Sequence, residues 1–136
     1  MKSIIFFGEC MIELRQPNDR GLEQSFAGDV YNAAVYLKRL YPDIQTSLST
    51  CIGQDQLSDA MLNALKLEGI EAELVLKDDT KVPGLYWIHT DAQGERSFTY
   101  WRSDSAAKQS VAHFSPDYIE KLKQADYFFF SGISLA

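Results

Sequence analysis

Chemistry is first suggested by the stretch Ala27-Gly28-Asp29-Val30-Tyr31-Asn32-Ala33-Ala34. A glycine ahead of a helix lets the backbone approach a bound molecule closely. Asp29 and Asn32 are three residues apart, one helical turn, and could together hydrogen-bond adjacent hydroxyls. The same residues also describe an ordinary capped helix with a turn glycine, and the local chemistry does not separate the two. A second group follows at Tyr86, Tyr100, Trp101 and Arg102. Arginine offers a fixed fork of donors that grips a carboxylate bidentately. Tyrosine joins a flat apolar face to a hydroxyl that can hydrogen-bond. Taken alone, this group describes a hairpin with a cross-strand aromatic pair and a solvated arginine more simply. Beside the 28–32 element, the binding reading is preferred.

These residues need elements to hold them. Residues 3–7 form a compact apolar run ending at Gly8, the pattern of a buried parallel strand. Met11, Ile12 and Leu14 alternate loosely with charged residues as a second, half-exposed strand, and a turn is expected over residues 17–21. Val30, Ala33, Ala34, Leu37 and Leu40 recur at helical spacing, with Asp29 as the expected cap. A strand over 46–52 precedes a second helix whose apolar face is Leu57, Met61, Leu65 and Leu67, closed by Gly69. A short strand is expected at 72–76. The spacing then predicts a hairpin of strands 84–90 and 97–102 around Asp91-Ala92-Gln93-Gly94. Ser115-Pro116 opens a third helix, and 127–130 is an aromatic strand.

Strands alternating with helices predict an α/β fold, a mostly parallel sheet with helical crossovers. The strand at 11–16 and the hairpin at 84–102 fall outside that rhythm, so they are expected as a small sheet standing off the main layer. The chain halts at an aromatic strand that would leave one flank of the sheet open. The expectation is therefore that residues 1–136 are part of a larger domain.

The stretch at 27–34 resembles the first signature of the ribokinase-type (PfkB) carbohydrate kinases, with Ala27 where a glycine usually stands. Within them, Gly-Asp-x-x-Asn followed by a small residue is similar to the keto-deoxygluconate branch. Gly8-Glu9-Cys10-Met11-Ile12-Glu13 resembles the family's first strand end, where an acidic residue faces the sugar. Ile52-Gly53-Gln54-Asp55 resembles its Gly-x-Asp element, with Ser58 where a glycine is frequent. Pro83-Gly84-Leu85-Tyr86 and Tyr100-Trp101-Arg102 resemble the lid segments of the branch.

The resemblance implies a ribokinase-like fold and an ATP-dependent sugar kinase. In the whole enzyme the γ-phosphoryl would pass from ATP to 2-keto-3-deoxygluconate, giving the 6-phosphate. It places the sugar on Gly28, Asp29, Val30, Tyr31, Asn32, Tyr86, Tyr100, Trp101 and Arg102. ATP and Mg2+ are implied cofactors of the full-length enzyme. The general base, the aspartate of a Gly-Ala-Gly-Asp motif, is expected beyond Ala136, with no catalytic residue in this chain. A homodimer through the lid is also implied. The alternatives are a fructokinase or ribokinase-like kinase of a neutral sugar, and a non-catalytic lid or dimerisation module.

The formal charge of -6 would repel a nucleic-acid backbone, so nucleic acid is not an expected partner. No signal peptide and no apolar run of about 18 residues is present, which excludes a helical membrane span and leads to a cytoplasmic expectation. Cys10 and Cys51 are expected as buried free thiols. His89 and His113 have no metal-ligand spacing, so no metal is assigned. Neither a dinucleotide-binding glycine fingerprint nor a Walker phosphate loop occurs.

Overall fold

The computed structural model describes residues 1–17 and 20–135. Asn18 and Asp19, in the turn expected at 17–21, lie outside the described residues. In chain order the elements are β1 (Ser3–Phe7), β2 (Met11–Arg15), β3 (Glu23–Ala27), α1 (Asp29–Leu40), β4 (Gln45–Ile52) and α2 (Gln56–Leu67). β5 (Val75–Lys77), β6 (Leu85–Thr90), β7 (Arg96–Trp101), α3 (Pro116–Lys123) and β8 (Tyr127–Phe130) complete the set. Short 3-10 turns occupy Ala106–Gln109, Val111–His113 and Gly132–Leu135.

β1 is the apolar run after the N-terminus, and it pairs in parallel with β4 on one side and β8 on the other. With β5 beside β4, the main sheet has the order β5-β4-β1-β8. Alternation along β1 sends Phe6 to one face and Ile5 to the other. Phe6 joins Leu48, Ile52, Val30, Ala34, Met61 and Leu65 in the larger core, under α1 and α2. Ile5 packs with Leu74 and Tyr118 beneath α3. Each fully buried aliphatic side chain here contributes roughly 1.5–3 kcal/mol. The α/β expectation therefore holds, with helices covering both faces of a parallel sheet. No described helix is long and apolar enough to cross a membrane.

The second sheet has the order β3-β2-β6-β7. β2 and β6 run parallel, while β3 and β7 are antiparallel to their neighbours. β3 was not legible as a strand: its sequence Glu-Gln-Ser-Phe-Ala has no apolar alternation, because it is an exposed edge. Three details differ from expectation, two in the helices and one in a strand. α1 begins at Asp29 with Gly28 as its cap. Leu67 is 89% exposed rather than on the buried stripe, because it lies two residues, about 200° of helical turn, from buried Leu65. The short strand lies at Val75–Lys77, with a lone bridge between Ser47 and Glu71 ahead of it.

Local signals set the other ends. Asp55 caps α2 by accepting from the Ser58 amide at 3.0 Å. Ser115 caps α3 by accepting from the Tyr118 amide at 3.1 Å, with Pro116 at the first helical position. Tyr118 then pins α3 to the sheet. Its hydroxyl donates to the Leu74 carbonyl at 2.6 Å and lies 2.7 Å from Ser49 Oγ. Burial pushes that hydroxyl's pKa up. Tyr118→Phe would leave both buried oxygens short of a partner, so it should lose about 1–3 kcal/mol of stability. Urea unfolding should show a lower midpoint at unchanged slope.

Candidate functional site

Open parallel sheets bind ligands outside the carboxyl ends of their strands. At that end of β1 lies a cavity of about 270 Å³, walled by Gly8, Glu9, Arg102, Lys108 and Ser134 among others. Two connections converge on it: the turn from β1 to β2, and the segment following β7.

Gly28 stands against the first of these. Its φ of 146° and ψ of 152° form a conformation that essentially only glycine adopts. A Cβ there would sit 2.6 Å from the Glu9 carbonyl oxygen. The Gly28 carbonyl accepts from the Asn32 amide at 2.8 Å and so opens α1. Asp29, now the first helical residue, turns its Oδ1 to the Val30 amide at 2.8 Å. A carboxylate in a first turn also complements the positive end of the helix. Asp29 and Asn32 are both exposed, so the two polar groups singled out in sequence face outward together. Val30 and Tyr31 do not join them. Both are buried in the core between α1 and the main sheet, because the helical period that turns 29 and 32 outward turns 30 and 31 inward.

The aromatic group is divided in the same way. Tyr86 on β6 lies opposite Tyr100 on β7, with ring centroids 5.7 Å apart. Tyr86 Oη donates to Glu13 Oε1 at 2.5 Å, and Glu13 Oε2 accepts from Ser25 Oγ at 2.8 Å. Burial, and then Glu13, pushes the Tyr86 hydroxyl's pKa well above its usual value. Trp101 pairs with Leu85 and, by strand alternation, faces the other side of the sheet. A ligand lying against Tyr86 and Tyr100 does not meet the Trp101 side chain.

Arg102 follows β7 and reaches back across the fold. Its Nε and Nη2 both lie 2.8 Å from Glu9 Oε1. The Glu9 side chain is 8% exposed and that of Arg102 30%. Glu9 Oε2 is buried without a hydrogen-bond partner. It rests against Gly84, where a Cβ would come within 2.5 Å. The acidic residues of the first strand end are thus held by residues of the second sheet, Glu9 by Arg102 and Glu13 by Tyr86. The segment carrying Lys108 is fixed at its ends: the Ala106 amide donates to the Val82 carbonyl at 2.8 Å, and His113 Nε2 lies 2.8 Å from Asp78 Oδ2. Lys108 carried no pattern in the sequence, since a cation in an irregular 3-10 stretch has no period to mark its direction.

Cys10 and Cys51 are buried free thiols, and burial pushes the Cys51 pKa up to about 11. Among the described residues no three His, Cys, Asp or Glu side chains form a group that could hold a metal ion. None of them is given a magnesium-binding role.

Residues 1–136 match the pfkB family carbohydrate kinase model. The chain is 46% identical over 141 residues to a 2-dehydro-3-deoxygluconokinase of Haemophilus influenzae, and the match covers 100% of this chain and 44% of that one. A solved 2-dehydro-3-deoxygluconokinase of Thermotoga maritima matches 98% of this chain and 42% of its own, with a TM-score of 0.82 at 22% identity, a likeness of fold alone. A fructokinase with bound ATP from Xylella fastidiosa matches 94% of this chain and 38% of its own, with a TM-score of 0.77 at 25% identity. The chain thus spans less than half the length of these relatives.

The backbone at Gly28 generates a direct test. Gly28→Ala should destabilise the protein by on the order of 1–3 kcal/mol, from the strained dihedral alone. The contact with Glu9 adds to that. The thermal midpoint should fall clearly, and an unchanged midpoint would show that the backbone can relax there.

Proposed function

Because this chain belongs to the pfkB family of carbohydrate kinases, we propose that it supplies the sugar-holding part of a kinase whose substrate is a sugar acid, 2-keto-3-deoxygluconate. The reaction would transfer the γ-phosphoryl of ATP to the sugar's primary hydroxyl, giving the 6-phosphate. Asp29 and Asn32 are assigned to hydroxyls, Tyr86 and Tyr100 to the apolar edge of the sugar, and Arg102 to its carboxylate. The general base and the nucleotide contacts are assigned to no residue of this chain, and the base is placed beyond Ala136.

The observation that carries the acid is the charge around the cavity. Among the described residues its charged wall residues are Glu9, Arg102 and Lys108, a formal excess of one positive charge in a chain of net charge -6. Such a local inversion favours an anion at that spot. The similarity to the 2-dehydro-3-deoxygluconokinase of Haemophilus influenzae supports the same reading.

A neutral sugar is the second reading, and one observation favours it. Glu9 already neutralises Arg102, so the fork is not vacant. Replacing Arg102 distinguishes the two, provided the buried Glu9 charge is not stranded by the change. In the Glu9→Gln background of the kinase that carries this chain, Arg102→Leu should raise KM for the keto-deoxy acid about ten- to a hundredfold, the worth of a charge-assisted pair. KM for a neutral ketohexose should hardly move. Equal losses for both sugars would favour the neutral-sugar kinase.

A further inference from the structure

We propose that Glu9 is a positioning residue for sugar recognition, acting through Arg102. This deepens the reading above and rests on it for the identity of the sugar. Both glycines of the two sequence elements close on this one residue. Gly28 makes room for the Glu9 carbonyl oxygen, and Gly84 makes room for its Oε2, with an added Cβ at 2.6 and 2.5 Å respectively. A Cβ on Gly84 would also come within 3.0 Å of Arg102 Cβ. Gly28 thus sets the place of the Glu9 backbone and Gly84 that of its carboxylate, whose other oxygen is turned to Arg102.

That partner is the Nε–Nη2 edge of Arg102, which converges on Oε1 alone. The guanidinium has five donors in a fixed plane. With one edge held, the Nη1 end is left for the cavity that Arg102 lines. The plane of the fork is thus set before any ligand arrives, and a planar fork set in advance gives up less freedom on binding. Without Glu9 the side chain would turn about its stem and present no fixed edge. Glu9 itself need not touch the sugar for this role.

A double-mutant cycle on the kinase that carries this chain tests the proposal. Glu9→Ala should raise KM for the keto-deoxy acid by about tenfold, with kcat within about twofold, as expected where a binding group is misplaced rather than the chemistry altered. Glu9→Gln keeps an oxygen acceptor for Arg102 Nε and should recover most of the loss. In an Arg102→Leu background, going from Glu9→Gln to Glu9→Ala should add less than about twofold, because the residue through which position 9 acts is gone and neither form strands a buried charge. If Glu9→Ala does not fold, Glu9→Asp carries the same cycle. It keeps the charge that Arg102 needs but withdraws the carboxylate by one methylene.

Losses that multiply across the two sites would overturn the role of Glu9, whichever sugar is used. So would a Glu9→Gln variant as impaired as Glu9→Ala. Equal losses for acid and neutral sugars on removing Arg102, with the cycle still non-additive, would overturn the acid assignment and leave Glu9 as the positioning residue for whichever sugar is turned over.

Discussion

A carboxylate buried between two sheets has to be paired, and the Glu9–Arg102 contact is where that requirement is met. Glu9 follows β1, a central strand of the parallel sheet, while Arg102 follows β7, the far edge of the second sheet. An isolated buried carboxylate would be strongly disfavoured, so the end of β7 must come back over the end of β1. The two glycines that crowd Glu9 belong to the segments leading into α1 and β6. The site is therefore built at a junction, in which the helix start packs on the backbone of Glu9 while the strand start and the ion pair meet at its side chain. The Tyr86–Glu13–Ser25 contacts repeat the arrangement one layer outward, tying β6, β2 and β3 through another carboxylate.

What the sequence made legible was whatever short-range chemistry decides. β1 reads as a strand because five consecutive residues are apolar or small and end in glycine. α3 starts at Ser115-Pro116 because a side-chain acceptor and a proline with fixed φ specify that start locally. The hairpin is placed by its turn residues, with Gly94 at positive φ. β3 escaped because a polar edge strand is specified by its neighbour β2 and not by its own pattern. Likewise the wall segment around Lys108 is held by contacts to Val82 and Asp78, both far away in sequence.

The site was legible as two segments but not residue by residue. Consecutive positions such as Asp29-Val30 and Tyr100-Trp101 look like one motif in one dimension, yet each pair divides between opposite faces once the backbone has a period. The pairing of Arg102 was illegible for a different reason. Its partner lies 93 residues away, and a Gly-Glu strand end offers nothing to say whether the carboxylate faces a ligand or an arginine.

That pairing changes what an arginine in a sugar pocket does. A solvated guanidinium must shed water and stop rotating when it meets a carboxylate, and both steps oppose binding. Arg102 has gone through most of this on folding, since its side chain is already largely buried and two of its nitrogens are engaged. The cost appears instead in charge, because Glu9 offsets the positive field that an acid would otherwise feel. Lys108 on the same wall restores one unit of it from a more exposed position. Orientation and charge are thus divided between two cations. Arg102 is the directional partner, whose removal alters geometry, and Lys108 is the field, whose influence weakens as salt screens it.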